Sequence, residues 1–213
     1  MSALQLLRRP AIFSAYLAPV FFIGGTLVSE SAWPTYNPIV QTISELAAGD
    51  APTRVFMTTM FFLTGVCHII TAVFAVGIGR IGRVLLGLAG IATMAVALNP
   101  LPTVAGTSLA HRLSAMAGFF LLAAWPVFGM RLRKDVPWIL RPIGATAGTV
   151  ILAAVCLWFL AIWSSQSIGY VGLIERIAAD SESLFPALVV TWLLIARRRV
   201  ARDISSEPVA SIR

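Results

Sequence analysis

Six long apolar stretches, separated by short polar connections, dominate the chain. A transmembrane helix needs about 20 predominantly apolar residues to cross a hydrocarbon core of roughly 30 Å. The stretches cover residues 11–29, 53–79, 84–99, 112–130, 142–163 and 184–196. Most of them reach the required length, and Leu101 and Pro102 extend the third. The pattern therefore predicts an all-α fold, a polytopic membrane bundle of six transmembrane helices.

The sixth stretch is too short by itself, and its extension decides where one acidic residue lies. Counting back about 20 residues from Arg197 places the start of this helix near residues 175–177. At 1.5 Å per residue, Glu182 then lies about 22 Å from the inner boundary and inside the hydrocarbon layer. Pro186 disrupts the helical hydrogen bond to the Glu182 carbonyl, so a kink is expected beside this carboxylate.

The first loop, roughly residues 30–52, carries a pattern of its own. Asn37 is a suitable N-cap and Pro38 suits the first helical position, while Gly49 is a natural end. The apolar residues between them fall on one helical face: Ile39, Val40, Ile43, Leu46 and Ala47. We expect a short amphipathic helix over residues 38–48 at the membrane surface. Asp50 then caps the second transmembrane helix.

The positive charges predict the orientation. Lys and Arg gather in the cytoplasmic loops of membrane proteins. With the N-terminus inside, only Arg54, Arg112 and Arg176 of the 16 Lys and Arg face outward. We therefore predict a multi-pass protein of the cell inner (plasma) membrane with both termini cytoplasmic. The cations form no continuous stripe, so no nucleic-acid partner is expected.

The composition fits a single membrane domain. It is 58% hydrophobic and only 12% charged, whereas soluble domains carry about 25% charged residues. We place the domain at residues 1–203 and a flexible cytoplasmic tail at residues 204–213. Cys67 and Cys156 lie inside apolar stretches, so neither a disulfide framework nor a zinc knuckle is expected.

Polar residues able to carry chemistry collect in the predicted outer half. Ionisable residues within a membrane cost free energy and by default indicate a functional site. The group comprises Ser44 and Glu45 in the first loop, His111 and Arg112 in the fourth helix, and Glu175, Arg176 and Glu182 in the sixth. The competing interpretation is a set of solvated charges at helix ends. It fits Arg112 and Arg176 best and Glu182 least, because Glu182 lies deepest.

The candidate catalytic residues are Ser44, Glu45, His111 and Glu182. In an enzymatic version Ser44 is the nucleophile or positions a water, His111 is the base, and Glu182 orients His111. The candidate binding residues are Asn37, Glu175 and Arg176.

The histidine count limits the metal and cofactor chemistry. The chain has 2 histidines, too few for a three-histidine zinc site. His68 lies about 22 Å below the outer end of its helix and His111 lies at that boundary, so one haem iron cannot reach both. His111, Glu45 and Glu182 stay open as a two-carboxylate, one-histidine metal set. We predict neither a metal nor a cofactor.

Four segments carry a resemblance to a known family: YNPIVQTISELAAGDAP, LNPLP, SLAHRLSAMAGF and GLIERIAADSESLFPALVVTWLL. Together they resemble the bacterial domain-of-unknown-function 998 family of six-helix membrane proteins. The resemblance implies a six-helix fold and recurring positions at Pro38, Ser44, Leu46, His111, Glu175, Arg176 and Glu182. It implies no established activity. The first-loop pattern also resembles eukaryotic DRAM-like membrane proteins, some of whose relatives are associated with lipid remodelling.

The placement of these residues favours a protein that binds or processes a lipid or amphiphile. Acids, a histidine and a serine converge at headgroup depth beside an amphipathic segment. The expected partners are membrane lipid and a lipid-like or small hydrophobic ligand; the sequence does not identify any protein partner. Two alternatives stay open: a small proton-coupled transporter in which Glu182 titrates, and a non-catalytic membrane subunit.

The orientation can be tested by cysteine labelling in intact cells. Ser31→Cys and Gly106→Cys should react with a membrane-impermeant thiol reagent, because both positions are predicted to face outward. Ser205→Cys should react only after the membrane is permeabilised. Labelling of Ser205→Cys in intact cells would show that the orientation is reversed.

Overall fold

A computed structural model describes residues 7–133, 135–165 and 169–206, with side chains up to residue 202. Six of its helices are long and apolar enough to cross a membrane. They are α1 (Arg9–Ser31), α2 (Arg54–Phe74), α3 (Arg80–Leu98), α4 (Leu109–Phe128), α5 (Pro142–Ser165) and α6 (Val171–Ser206). The described residues contain no strand. The predicted all-α bundle of six membrane-spanning helices is confirmed.

Each helix packs against its neighbours in sequence, and α1 packs against α6, so the bundle closes into a ring. Two glycines bring α2 and α3 together, since a Cβ built at Gly65 would lie 2.5 Å from the Gly90 carbonyl oxygen. Small residues of this kind allow membrane helices to approach closely. The ring encloses the space in which the polar residues meet.

The first helix contains one irregular turn. A π-helical segment, Val20–Gly24, lies between the α-helical parts Arg9–Pro19 and Gly25–Ser31. Proline has no backbone N–H, so a proline within a helix weakens the local hydrogen-bond ladder. Pro19 immediately precedes the π segment. Phe22, within this segment, packs against Phe61 of α2 with ring centroids 5.8 Å apart.

At the end of the bundle that holds most of the cations, arginines cap exposed carbonyls. Arg131 donates to the carbonyls of Val76 and Ile78, at 3.0 Å each, where the chain turns after α2. Arg83 donates to the Ala72 carbonyl at 2.7 Å. The last carbonyls of a helix lack partners within the helix, so these side chains satisfy groups that the helix leaves open. We call the opposite end, which carries the first loop, the outer end, after the predicted orientation.

The helix in the first loop is shorter than predicted. It is a 3₁₀ helix, Ile43–Ala47, and its N-cap is Thr42 rather than Asn37. Ile43 and Leu46 are buried as predicted, but Ile39 is 51% exposed. The predicted short helix in the first loop is therefore present, but its predicted bounds of 38–48 and the packing of Ile39 are wrong.

The sixth helix explains this difference. A helix through the first loop would join the Ile43 amide to the Ile39 carbonyl. Instead, the Ile43 amide donates to the Glu175 carboxylate at 2.6 Å. The Ile39 carbonyl accepts from the Leu173 amide at 3.0 Å. Because α6 supplies both partners, the loop satisfies its backbone groups without becoming helical.

Two smaller predictions also change. The N-cap of α2 is Thr53, not Asp50. The Asp50 carboxylate instead accepts from the Val104 amide at 2.8 Å and so ties the first loop to the second. The predicted tail, residues 204–213, begins within α6, which continues to Ser206; residues 207–213 lie outside the described residues.

The contact between the first loop and α6 can be tested at Gly172. A Cβ built there would overlap the Gln41 carbonyl oxygen, so Gly172→Ala must push the loop away from α6. Overpacking of this kind costs about 1–3 kcal/mol, and we expect a lower midpoint of thermal unfolding in detergent. Gly24→Ala is the matched control, because a Cβ at Gly24 would meet nothing within 4 Å beyond its chain neighbours and the adjacent backbone of its own helix. Equal midpoints for the two variants would contradict this account.

Candidate functional site

A cleft of about 750 Å³ opens at the outer end, between the first two outer loops and the outer ends of α4, α5 and α6. Its lining is partly polar and partly apolar. The polar lining residues include Thr42, Ser44, Glu45, Thr107, His111 and Arg112, and the apolar ones include Phe119, Phe159, Ile162 and Trp163. We call this space the outer cleft. The mixed lining suits a molecule that has both a polar and an apolar part.

Ser44 and His111 meet in the lining of the outer cleft. His111 lies in the first turn of α4, where the Ser108 hydroxyl caps the helix by accepting from the His111 amide at 3.1 Å. Its ring nitrogen Nε2 is 3.1 Å from the Ser44 hydroxyl oxygen. The other ring nitrogen, Nδ1, is 2.9 Å from the Asn99 carbonyl oxygen. Both ring nitrogens are therefore engaged.

These contacts assign the tautomer of a neutral His111. A carbonyl oxygen only accepts hydrogen bonds, so Nδ1 must carry the proton that it shares with Asn99. Nε2 is then unprotonated and accepts the hydroxyl proton of Ser44. A nucleophile bonded to a base, with the base oriented by a third group, is the arrangement that activates serine in covalent catalysis.

The end of α3 supplies the orienting group. Asn99 is the C-cap of α3, and its side chain donates to the Ala95 carbonyl at 2.9 Å. Its own carbonyl lies past the end of the helix and is free to accept from His111. The sequence prediction gave this orienting role to Glu182. Every residue has a backbone carbonyl, so the residue type does not show that this carbonyl binds His111. The only indication in the sequence is that Asn99 and Pro100 end the helix there.

Two predicted acids hold the loop that carries Ser44. The Glu175 carboxylate binds the Ile43 amide, one residue before Ser44. Glu45 accepts from the Thr42 amide and from the Thr42 hydroxyl, at 3.0 Å each. Both acids line the outer cleft, and both use a carboxylate oxygen to fix the loop. We conclude that they position Ser44.

Two other predicted binding residues lie outside the cleft lining. Arg176 donates to the Glu30 carboxylate at 2.6 Å and to the Tyr36 hydroxyl oxygen at 2.6 Å. It also donates to the Gln41 carbonyl at 3.0 Å. Asn37 is exposed, and its side chain accepts from the Ile39 amide at 3.0 Å. Both residues shape the first loop.

Burial keeps the Tyr36 phenol neutral. It raises the pKa of Tyr36 above its ordinary value, against the opposing effect of the Arg176 guanidinium. The neutral hydroxyl donates to the Thr42 carbonyl at 2.7 Å. Tyr36 thereby links Arg176 to the residue that caps the Ser44 helix.

Glu182 lies in a second space. It is 1% exposed and lines a cavity of about 80 Å³ inside the ring, together with His68. We call this space the deep cavity. His111 is not among the described residues that line it, and no hydrogen bond joins Glu182 to His111 in the described part of the chain. The first loop does reach this space, through Ile43 and Ser44.

The predicted single site is thus two adjoining spaces. The outer cleft and the deep cavity share the lining residues Ser44, Ala115, Phe119 and Glu175. Over the described ranges, no three His, Cys, Asp or Glu side chains come together as a metal site. The alternative metal set of His111, Glu45 and Glu182 is therefore not assembled in this structure.

The fold and the cleft define a polytopic six-helix membrane protein. Residues 16–192 match the model of the family described as "Protein of unknown function (DUF998)", and the chain belongs to that family. No curated protein and no solved structure matches the chain. The family resemblance stated from the motifs is confirmed. The likeness to DRAM-like proteins, the type of membrane and the orientation stay predictions.

The Arg176 contacts can be tested by stability measurements. Arg176 and Glu30 form an ion pair whose side chains are only 13% and 18% exposed. Arg176→Gln removes the cation and leaves the Glu30 carboxylate largely buried without it. Breaking a buried pair costs about 3–5 kcal/mol, and we expect a loss of about 2 kcal/mol here because the pair keeps some contact with solvent. The readout is the midpoint of thermal unfolding in detergent.

Arg133→Gln is the control for this experiment. It removes the cation of the Arg133–Asp135 pair, whose side chains are 58% and 52% exposed. Solvent screens such a pair, so no measurable change in the midpoint is expected. A midpoint for Arg176→Gln that equals that of the control would contradict the structural role of Arg176.

Proposed function

We propose that this protein binds a membrane amphiphile in the outer cleft and hydrolyses its acyl ester with Ser44 as nucleophile and His111 as base. One observation carries the proposal: the Ser44 hydroxyl is bonded to the unprotonated nitrogen of a histidine whose other nitrogen is held by the Asn99 carbonyl. The pair lines a cleft whose lining is partly polar and partly apolar.

The chemistry follows from the protonation states. Ser44 Oγ attacks the acyl carbon and forms a new C–O bond, while its proton passes to His111 Nε2. The Asn99 carbonyl favours the resulting imidazolium, because it accepts from Nδ1. His111 then gives the proton to the departing alcohol oxygen as the original ester bond breaks. Water, deprotonated by His111, releases the acid from Ser44 and restores both residues.

The lining of the cleft supports an amphiphilic substrate. Phe119, Phe159 and Trp163 offer apolar surface on the side of α4 and α5. Arg112 is an exposed residue of the cleft lining and offers a cation for a phosphate or carboxylate headgroup. Arg forms strong, charge-assisted bonds with both groups. A lipid whose headgroup faces Arg112 would bring its ester towards Ser44.

A fluorophosphonate probe tests the nucleophile in the purified, detergent-solubilised protein. The probe forms a covalent bond with an activated serine and displaces fluoride. We expect labelling at Ser44, identified by peptide mass spectrometry. Ser44→Ala should abolish the labelling. His111→Gln should slow it by about 10²–10⁴-fold, the usual contribution of a positioned base.

Ser164→Ala is the matched control. Ser164 also lines the outer cleft, but its hydroxyl donates to the Ala161 carbonyl at 2.9 Å, so this variant should label like the parent. Absence of labelling at Ser44, or equal labelling of Ser44 and Ser164, would overturn the proposal. The transporter and the non-catalytic subunit would then be the remaining alternatives, since neither requires an activated serine.

A further inference from the structure

The deep cavity holds a group of buried polar atoms that the Ser44–His111 chemistry does not use. Glu182 Oε1, His68 Nδ1 and Ser183 Oγ have no hydrogen-bond partner among the described residues. All three side chains line the deep cavity and are at most 3% exposed. A buried polar group without a partner costs free energy. Their convergence therefore points to a ligand.

The polar lining mostly accepts hydrogen bonds. The Thr64 hydroxyl donates its proton to the Met60 carbonyl at 2.8 Å. The Thr93 hydroxyl donates to the Ala89 carbonyl at 3.0 Å. Each threonine oxygen then has only lone pairs left for the cavity. Together with the Glu182 carboxylate, they favour a ligand that donates several hydrogen bonds.

The charge and the shape of the cavity narrow the ligand further. No Lys or Arg is among the described residues that line it, so the carboxylate of Glu182 faces no protein cation there. Phe22, Phe61 and Phe119 are among the remaining lining residues. Aromatic faces attract organic cations as well as hydrocarbon. A volume of about 80 Å³ admits only a small molecule.

The deep cavity adjoins the outer cleft through a shared lining that includes Glu175. The cleft is lined by the acid Glu45 and also by the cation Arg112, so the cleft itself does not select the charge of a ligand. The selection for a positive charge therefore rests on Glu182 inside the cavity.

We propose that the deep cavity is a binding site for a small organic ammonium ion that carries a short hydrocarbon group. Its N–H groups bond to Glu182 and to the threonine oxygens, and its hydrocarbon part lies against the phenylalanine rings. An alkali metal ion suits the site less, because hard cations need about six or more oxygen ligands. The proposal does not depend on the esterase activity of Ser44.

Butylammonium is the probe, with butanol as the neutral molecule of similar shape and sodium as the inorganic cation. A ligand that binds only the folded state raises the unfolding midpoint with concentration. We expect butylammonium to raise the midpoint of the purified full chain in nanodiscs, while butanol and sodium leave it unchanged. An equal rise with butanol would show a merely apolar cavity, and an equal rise with sodium would show no preference for organic cations; either result overturns the proposal.

Variants locate the binding. Glu182→Gln removes the counter-ion with little change in volume and should weaken butylammonium binding by about a hundredfold, a loss typical of one partner of a buried ion pair. Asp180→Asn is the matched control, because it removes an acid of the same helix that is not among the lining residues, and it should bind like the parent. If both variants bind equally well, Glu182 is not the counter-ion and the proposal fails.

A second variant guards against misfolding of Glu182→Gln. Ala179→Leu keeps Glu182 but fills the cavity from its α6 wall, and it should also abolish the butylammonium effect. If Ala179→Leu still binds butylammonium, the ligand does not lie in the deep cavity and the proposal fails. His111→Gln separates the two proposals, since it should slow the labelling of Ser44 and still bind butylammonium.

Discussion

The hydrogen bond from the Ile43 amide to the Glu175 carboxylate governs the outer half of this protein. It joins two residues 132 positions apart in the sequence, in a setting where both partners are buried. A carboxylate in such surroundings needs a donor, and a buried amide needs an acceptor. Because each satisfies the other, the first loop has one stable position against α6. Ser44 follows Ile43 directly, so this bond also decides where the nucleophile candidate points.

The remaining contacts between the first loop and α6 also hold the loop in this position. Arg176 holds Glu30 and the Gln41 carbonyl, and the Leu173 amide holds the Ile39 carbonyl. These partners replace the internal hydrogen bonds of a surface helix. The outer cleft is therefore lined in part by irregular backbone whose polar groups the protein itself satisfies, as non-helical backbone requires where water does not reach it.

The sequence was sufficient for features that depend on local physics. Six helices follow from apolar length, since a helix in lipid satisfies its own backbone, and the burial of Ile43 and Leu46 follows from their spacing. The proximity of Ser44 and His111 was also part of the predicted site. The Asn99 carbonyl was not part of the predicted site. Every residue type has a backbone carbonyl, so the sequence does not show which one accepts a hydrogen bond from a side chain. Glu182 was predicted from its depth to lie within reach of His111 or of the first loop. It shares the deep cavity with Ile43 and Ser44 of that loop and not with His111, because depth alone does not distinguish two adjoining spaces within one ring.

The order of packing around the ring has a consequence for synthesis. Helices that contact their sequence neighbours can associate as each one enters the membrane, and such local contacts form quickly. The contact between α1 and α6 must wait until the last helix has been made. Ser44 and His111 are synthesised earlier, but the loop that presents Ser44 lacks the Glu175 anchor until then. Ser44 and His111 are therefore brought into register only when α6 has been made and the ring closes.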